Sequence, residues 1–352
     1  MNVVIFYVTL ILVYFAVDAM ACAGLSLEFG VTGVVNFAYI VFQAAGAYTA
    51  AVLTLGPASP SGFQQYIGGA HWPFPLPLIA AAVVGALLSL VVAVLGVRRL
   101  RTDYLAIVLL VAALIATTVA TNQDGLVGGA AGLALVPHPL VALFGNNAAG
   151  LSYNVFFAGF SLLLCALCFL IVHRVTDSPF GRRLRALREN EAAAMAQGFS
   201  PFRLQASVLM MGGAMAGLSG GVLVEYVTAW APSGWLYPET FVLFTALIVG
   251  GLGNNWGALV GALVVPTGIG EGIQYLPHFG SPTFTVSVQW IVIGLLPLLF
   301  LWFRPQGLIP ERHRRFAPAG EKKGRQLVQG WLRPRTSSTQ IGEFSTSKDA
   351  RP

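Results

Sequence analysis

Three groups of residues in this chain have types and spacings that could do chemistry. Cys165 and Cys168 form a CxxC, the spacing of redox and metal sites, but it lies inside an apolar run where small buried thiols are the expected reading, and Cys22 stands alone. Glu225 and Glu271 fall near the predicted outer ends of apolar runs. A carboxylate there could receive a substrate ammonium, although solvation at a membrane interface is the reading adopted here. The third group is a charged stretch, Thr176 to Arg203, TDSPFGRRLRALRENEAAAMAQGFSPFR, in a chain that is only 10% charged.

Several chemistries are excluded. No GxxxxGK[ST] occurs, and the only lysines are Lys322, Lys323 and Lys348, so the chain does not bind ATP through a P-loop and any such energy must come from a partner. The five histidines show no ligand spacing, and there is no nucleophile elbow or zinc motif. The expectation is a protein that is not an enzyme, with no catalytic residue, no metal and no cofactor of its own.

The elements that must position the charged stretch are apolar. At 56% hydrophobic residues, with several runs near the roughly 20 residues needed to cross hydrocarbon, the chain reads as an all-α polytopic membrane protein. Candidate spans are Val3 to Val17, Gly33 to Leu55, Leu76 to Leu95, Tyr104 to Thr121, Val155 to Ile171, Leu204 to Tyr226, Phe241 to Gly253, Gly257 to Gln274 and Val286 to Phe303, giving eight or nine transmembrane helices. The net charge of +6 does not indicate nucleic acid, because all 20 Lys and Arg fall in three blocks: Arg98 to Arg101, Arg174 to Arg203 and Arg304 to Arg351. By the positive-inside rule all three face the cytosol. Nine spans satisfy the parity this requires, with the N-terminus outside and the C-terminus inside. The 13 residues of Phe241 to Gly253 fall short of the hydrocarbon core, so a re-entrant pair is the alternative. No basic residue precedes Arg98, so the first apolar run is read as a retained span rather than a signal peptide.

Within the charged stretch, Ser178 can cap, Pro179 suits the first helical position, Gly198 can close the C-terminus and Pro201 stops continuation, which predicts one helix from Pro179 to Gln197. Its charges run against the macrodipole, with Arg182, Arg183 and Arg185 early and Glu189 and Glu191 late. That placement suggests an external demand on the helix, such as lipid phosphate or another protein. Leu184, Leu187, Glu191 and Met195 form a face available to a partner.

SPFGRRLRALRENEAAAMAQGFSPFR resembles the "EAA" loop of ABC-importer permeases, most closely that of M-type (LivM-like) permeases of branched-chain amino acid transporters. In that family the loop is a cytoplasmic coupling helix that docks on the ATPase, which would assign ATPase coupling to Arg188, Glu191, Ala193, Ala194 and Gly198. The general pattern has three residues between Glu-Ala-Ala and Gly; here Glu191 stands one position early, while Ala193 and Ala194 keep the spacing to Gly198. Further motifs agree in order over roughly residues 20 to 310. Asn36-Phe37 and Gly46-Ala47-Tyr48-Thr49 match the family's second segment, although Ala38-Tyr39 replaces a frequent Gly-His. Asp103 to Val108 matches "DYLAIV", after which Leu109 and Leu114 replace its polar and acidic positions. Gly128-Gly129 and Gly132 resemble an outer Gly-rich loop, read either as a simple turn or as a contact for a soluble binding protein, and FRPQGLIP resembles the ending after the last helix.

Two glycine rows, Gly213, Gly217 and Gly221, then Gly253, Gly257 and Gly261, predict close helix approach, within the subunit first and otherwise at a dimer interface or mobile pathway wall. With Gly30 and Gly33 inviting a break, the Gly-rich broken segments hint at an inverted repeat around a pathway. Candidates for pathway lining or packing are Asn36, Tyr39, Gly46, Gly213, Gly217, Gly253 and Gly257.

The resemblance implies residues 1–310 as a transmembrane permease domain with its coupling loop at 176–203, in a bacterial inner membrane. Residues 311–352 are expected to be a disordered basic cytoplasmic tail near anionic lipid. Implied partners are a second, LivH-like permease, two ABC ATPase subunits that hydrolyse the ATP, and a periplasmic solute-binding protein. Branched-chain or related hydrophobic amino acids are the usual cargo, with urea, amides and other small solutes as alternatives. A secondary transporter or channel, or a non-transporting receptor, are the readings outside this class.

Overall fold

The computed structural model describes residues 2–57, 64–100, 102–145, 150–271 and 282–311. Asp18 interrupts the first apolar run, yet α1 (Asn2–Leu25) does not end there; it continues into a π-helical turn, Ser26–Val31. Asp18 stays in the helix because its carboxylate accepts a hydrogen bond from Thr267 Oγ1 at 3.1 Å. The span expected to close at Val17 therefore runs to Val31. The break falls at Gly33, whose φ of +80° suits a residue without a Cβ. After it comes α2 (Tyr39–Thr54), six residues later than the expected start.

The chain continues through α3 (Leu76–Val92) with a π turn to Val97, α4 (Thr102–Asn122), a short α5 (Asp124–Val127) and α6 (Leu151–Asp177). In the charged stretch lie α7 (Pro179–Glu189) and α8 (Glu191–Ala196), followed by α9 (Pro201–Val227). The last third holds α10 (Tyr237–Gly250), α11 (Asn255–Ala262) with a π turn to Glu271, and α12 (Pro282–Phe303). Among the described residues no strand forms; two isolated bridges, Tyr66 with Val127 and Leu133 with Trp230, tie loops together.

Among the described residues six helical segments are long and apolar enough to cross a membrane: Val4–Val31, Leu76–Val97, Tyr104–Asn122, Leu151–Asp177, Pro201–Val227 and Val286–Phe303. The other three expected spans are also helical but shorter. At roughly 1.5 Å per residue, α2 and α10 rise only about 24 and 21 Å, against a core of about 30 Å. The end of the Gly257 to Gln274 stretch and all of 312–352, including the expected disordered tail, lie outside the described residues.

Helices in lipid gain little from apolar burial against one another, so close approach through small residues has to hold them. The glycine rows do this inside the chain. A Cβ on Gly46 of α2 would overlap the Gly217 backbone, one on Gly217 would overlap the Ala81 carbonyl of α3, and one on Gly213 would overlap the Gly85 carbonyl and Ser89. Thus α9 is held between α2 and α3 with backbones in contact. In the second row a Cβ on Gly257 would stand 2.7 Å from the Gly250 carbonyl oxygen, closing α10 on α11 as a tight hairpin.

The loops gather at two opposite ends of these helices. At one, His71 donates to the Leu55 carbonyl, Ile67 to Leu126, and Leu133 and Trp230 exchange backbone hydrogen bonds. At the other lie Gly30, the 251–254 turn, α7, α8 and residues 304–311. Arg98 stacks over Phe202 there at 5.9 Å, so the described parts of all three basic blocks share one end.

The glycine contacts give a direct test. Gly46→Leu or Gly217→Leu forces side-chain atoms into backbone and costs at least about 1 to 3 kcal/mol, read as a lower unfolding temperature of the purified protein. Gly159→Leu, on α6 with open space at its Cβ, leaves that temperature unchanged.

Candidate functional site

The charged stretch begins as its sequence dictates. Ser178 Oγ accepts from the amides of Phe180 and Gly181, and Pro179 opens α7. It then departs from the single expected helix, because Asn190 leaves helical geometry and its side chain accepts from the Ala193 amide at 3.0 Å, capping a second helix. This break resolves part of the charge pattern: Glu191 now lies in the first turn of α8 and Arg188 in the last turn of α7, where the helix dipoles favour each sign, while Arg182 and Arg183 stay near the start of α7 and Glu189 at its end. Gly198 ends α8 with φ +83°.

The sequence expects Leu184 and Leu187 to face a partner, but both are buried, as is Ala194. They anchor α7 and α8 to the protein's own core, against the helices on either side of the loop. What remains outward is Glu191, Ala193, Met195 and Gly198. A Cβ on Gly198 would meet nothing within 4 Å, so only its backbone conformation demands glycine within this chain.

Arg188 is turned inward. One guanidinium nitrogen donates to the Gly30 carbonyl at the π-helical end of α1, and the other pairs with Glu311 at 2.7 Å. Arg185 approaches the second Glu311 oxygen at 3.7 Å. The Arg188 stem packs on Gly33, where a Cβ would stand 3.0 Å from Cγ. Glu311 is delivered by the segment after α12: Leu308 and Ile309 donate to the carbonyls of Val249 and Gly250, and Asn254 Nδ2 donates to Pro310. Gly253 lies against the Glu311 carboxylate and Gly30 against the Gly253 amide. One guanidinium thus joins the loop, the end of α1, the α10–α11 turn and the chain's closing segment. Glu311 carries no sequence signal for this role, since it lies 123 residues from Arg188.

The expected pathway or packing residues fall in three settings. Gly46, Gly213, Gly217 and Gly257 are helix contacts, and Gly253 belongs to the Arg188 junction. Asn36 and Tyr39 are fully buried. Asn36 Nδ2 donates to Glu28 Oε2 at 2.9 Å, and the Tyr39 hydroxyl lies 2.8 Å from the Ala21 carbonyl and 3.2 Å from that of Gly212. The pair secures the broken segment between α1 and α2. Glu28 is buried in the π turn. Glu225 is likewise 1% exposed, which corrects its reading as a solvated interfacial carboxylate. Cys165 and Cys168 are buried free thiols, and among the described residues no His, Cys, Asp and Glu converge on a metal-binding geometry.

Such an arrangement defines a multi-pass helical membrane protein whose exposed charged loop is tied mechanically to its helix ends. The chain belongs to the family of the branched-chain amino acid transport system permease component, which matches residues 7–301. It is 28% identical over 325 residues to the high-affinity branched-chain amino acid transport system permease protein LivM of Salmonella typhimurium, covering 86% of this chain and 70% of that one. It is 27% identical to the probable branched-chain amino acid transport permease protein LivM of Methanocaldococcus jannaschii, over 87% of this chain and 94% of that one. The guanosine ABC transporter permease protein NupQ of Bacillus subtilis is 28% identical over 62% of this chain and 67% of its own length. No solved structure matches the chain.

A charge-assisted pair between side chains 29% and 17% exposed contributes on the order of 1 to 3 kcal/mol. Arg188→Ala and Glu311→Ala should each destabilise by that amount in chemical denaturation. The double variant should lose clearly less than the sum, giving a coupling energy of about 1 kcal/mol or more. Additive losses would mean that the two side chains do not act together.

Proposed function

We propose that this chain is the M-type permease subunit of an ATP-driven importer, with α7 and α8 as the surface on which an ATP-hydrolysing subunit docks. The observation that carries the proposal is the junction at Arg188, since a force on α7 reaches the end of α1 through this side chain and the α10–α11 turn through its partner Glu311. Ala193 and Gly198, small and outward, leave room for close docking. Family membership supports the partners: an H-type permease beside this one, two ATPase subunits, and a periplasmic binding protein delivering branched-chain or related hydrophobic amino acids. The chain itself takes no cofactor and no nucleic acid.

The shared end of the basic blocks supports an inner-membrane orientation with that end cytoplasmic and the N-terminus outside. The passage of each apolar helix between the two ends, short ones included, supports nine crossings. The breaks at Gly33 and at Gly251 to Gly253 support an inverted repeat. Residues 1–310 then form the permease domain, followed by a basic tail near anionic lipid.

In the complex reconstituted with its ATPase, its partner permease and its binding protein, L-leucine uptake should require ATP. Ala193→Glu, at an exposed position, should leave the chain folded and reduce uptake more than tenfold while ATP hydrolysis loses its dependence on the loaded binding protein. Ala194→Glu tests folding instead, since Ala194 is buried. Guanosine uptake in place of leucine uptake would move the cargo to the nucleoside class suggested by the Bacillus relative. Normal uptake by Ala193→Glu would reject α8 as the docking surface. For orientation, Ala142→Cys should react with an impermeant thiol reagent added outside and Ala192→Cys should not.

A further inference from the structure

At the end away from α7 and α8, a cavity of about 450 Å³ opens between α1, α2, α10 and the π turn after α11, within the roughly 300 to 1,000 Å³ usual for ligand sites. Asp18, Glu239 and Glu271 all line it, and no Lys or Arg does so among the described residues. Gln43 of α2 lines it too. Its side chain is only 6% exposed, and its carboxamide has no hydrogen-bond partner among the described residues. Its carboxamide at the cavity wall offers a ligand's polar group an unused donor and acceptor. The remaining wall is apolar, with Val17, Ile40, Val242 and Leu243.

We infer that this cavity binds an aliphatic primary ammonium, with Asp18, Glu239 and Glu271 receiving the cationic nitrogen, Gln43 fixing its orientation and the apolar wall taking the alkyl chain. Carboxyl groups gathered without a basic partner hold protons until a cation enters, and a bound cation stabilises the ionised form. The three do not converge to metal-ligand spacing. An ammonium carries three N–H donors and can donate to more than one acceptor at a cavity wall. Asp18 is already oriented by Thr267, which leaves its other oxygen for the ligand. The inference deepens the permease reading and rests on it for one point only, that the bound ammonium belongs to the transported solute.

The test needs neither ATP nor partners. The full chain carrying Ser233→Cys, an exposed position on the cavity rim, is placed in phosphatidylcholine nanodiscs and labelled with a cationic methanethiosulfonate. Isopentylamine and L-leucine should each slow labelling at least fivefold, whereas 4-methylpentanoate should not. Asp18→Asn and Glu239→Gln, tested separately so that a folding defect in one leaves the other informative, should each abolish that protection. Equal protection by 4-methylpentanoate, protection unchanged in both carboxamide variants, or no protection by any probe would overturn the assignment. Slower labelling in phosphatidylethanolamine discs without added solute would assign the site to a lipid headgroup and overturn the solute reading. Loss of ATP-driven uptake alone leaves these results untouched, so failure of the permease reading is told apart from failure of this one.

Discussion

The arrangement depends on one half-buried cation, the guanidinium of Arg188. A cation partly withdrawn from water needs both a countercharge and an acceptor, and it finds them in Glu311 and the Gly30 carbonyl. The planar fork of arginine can serve two partners at once, which an ammonium on a flexible stem does poorly. Everything around it has been shaped to let them meet. Gly33 leaves room for the stem, Gly253 for the carboxylate, and the segment after α12 lies along the α10 C-terminus so that Glu311 arrives in place. The π turn at the end of α1 belongs to the same junction, since it presents Gly30 and leads directly to the break at Gly33.

The second constraint is the absence of a hydrophobic drive between helices in lipid. The fold answers it by removing side chains where α2, α3 and α9 touch, and again between α10 and α11. These contacts fix α2 although it is short, and they place its N-terminus deep enough for Asn36 and Tyr39 to bond to α1 and α9. Rigid glycine packing around a broken segment and a junction tying the loop to helix ends suit a protein in which motion at one end is carried through the membrane.

Much of this was legible in the sequence, and the parts that were are local. Ser178, Pro179 and Gly198 act on neighbouring amides and backbone angles, so their roles follow from residue type. The glycine rows were legible as close contacts because a four-residue spacing keeps them on one face. The sequence did contain the signal for the break at Asn190, an N-cap residue three positions before Ala193, but a continuous run of good helix formers hid it. The extension of α1 through Asp18 was not readable, because it rests on Thr267, far along the chain. Nor was the burial of Glu28, which needs Asn36 beyond a turn, or the inward course of Arg188, whose partner Glu311 comes after the last helix. Long-range pairing decides each of these cases, and no local pattern encodes it.

The claim that α7 and α8 form the docking surface is tested most directly by photocrosslinking. With benzoylphenylalanine at Met195, a large exposed side chain on α8, ultraviolet light should join the chain to the ATP-hydrolysing subunit of the purified complex, and more strongly when nucleotide is bound. The same group at Leu143, exposed at the opposite end, should not capture that subunit. Capture from position 143, or none from 195 while the complex purifies intact, would contradict the account.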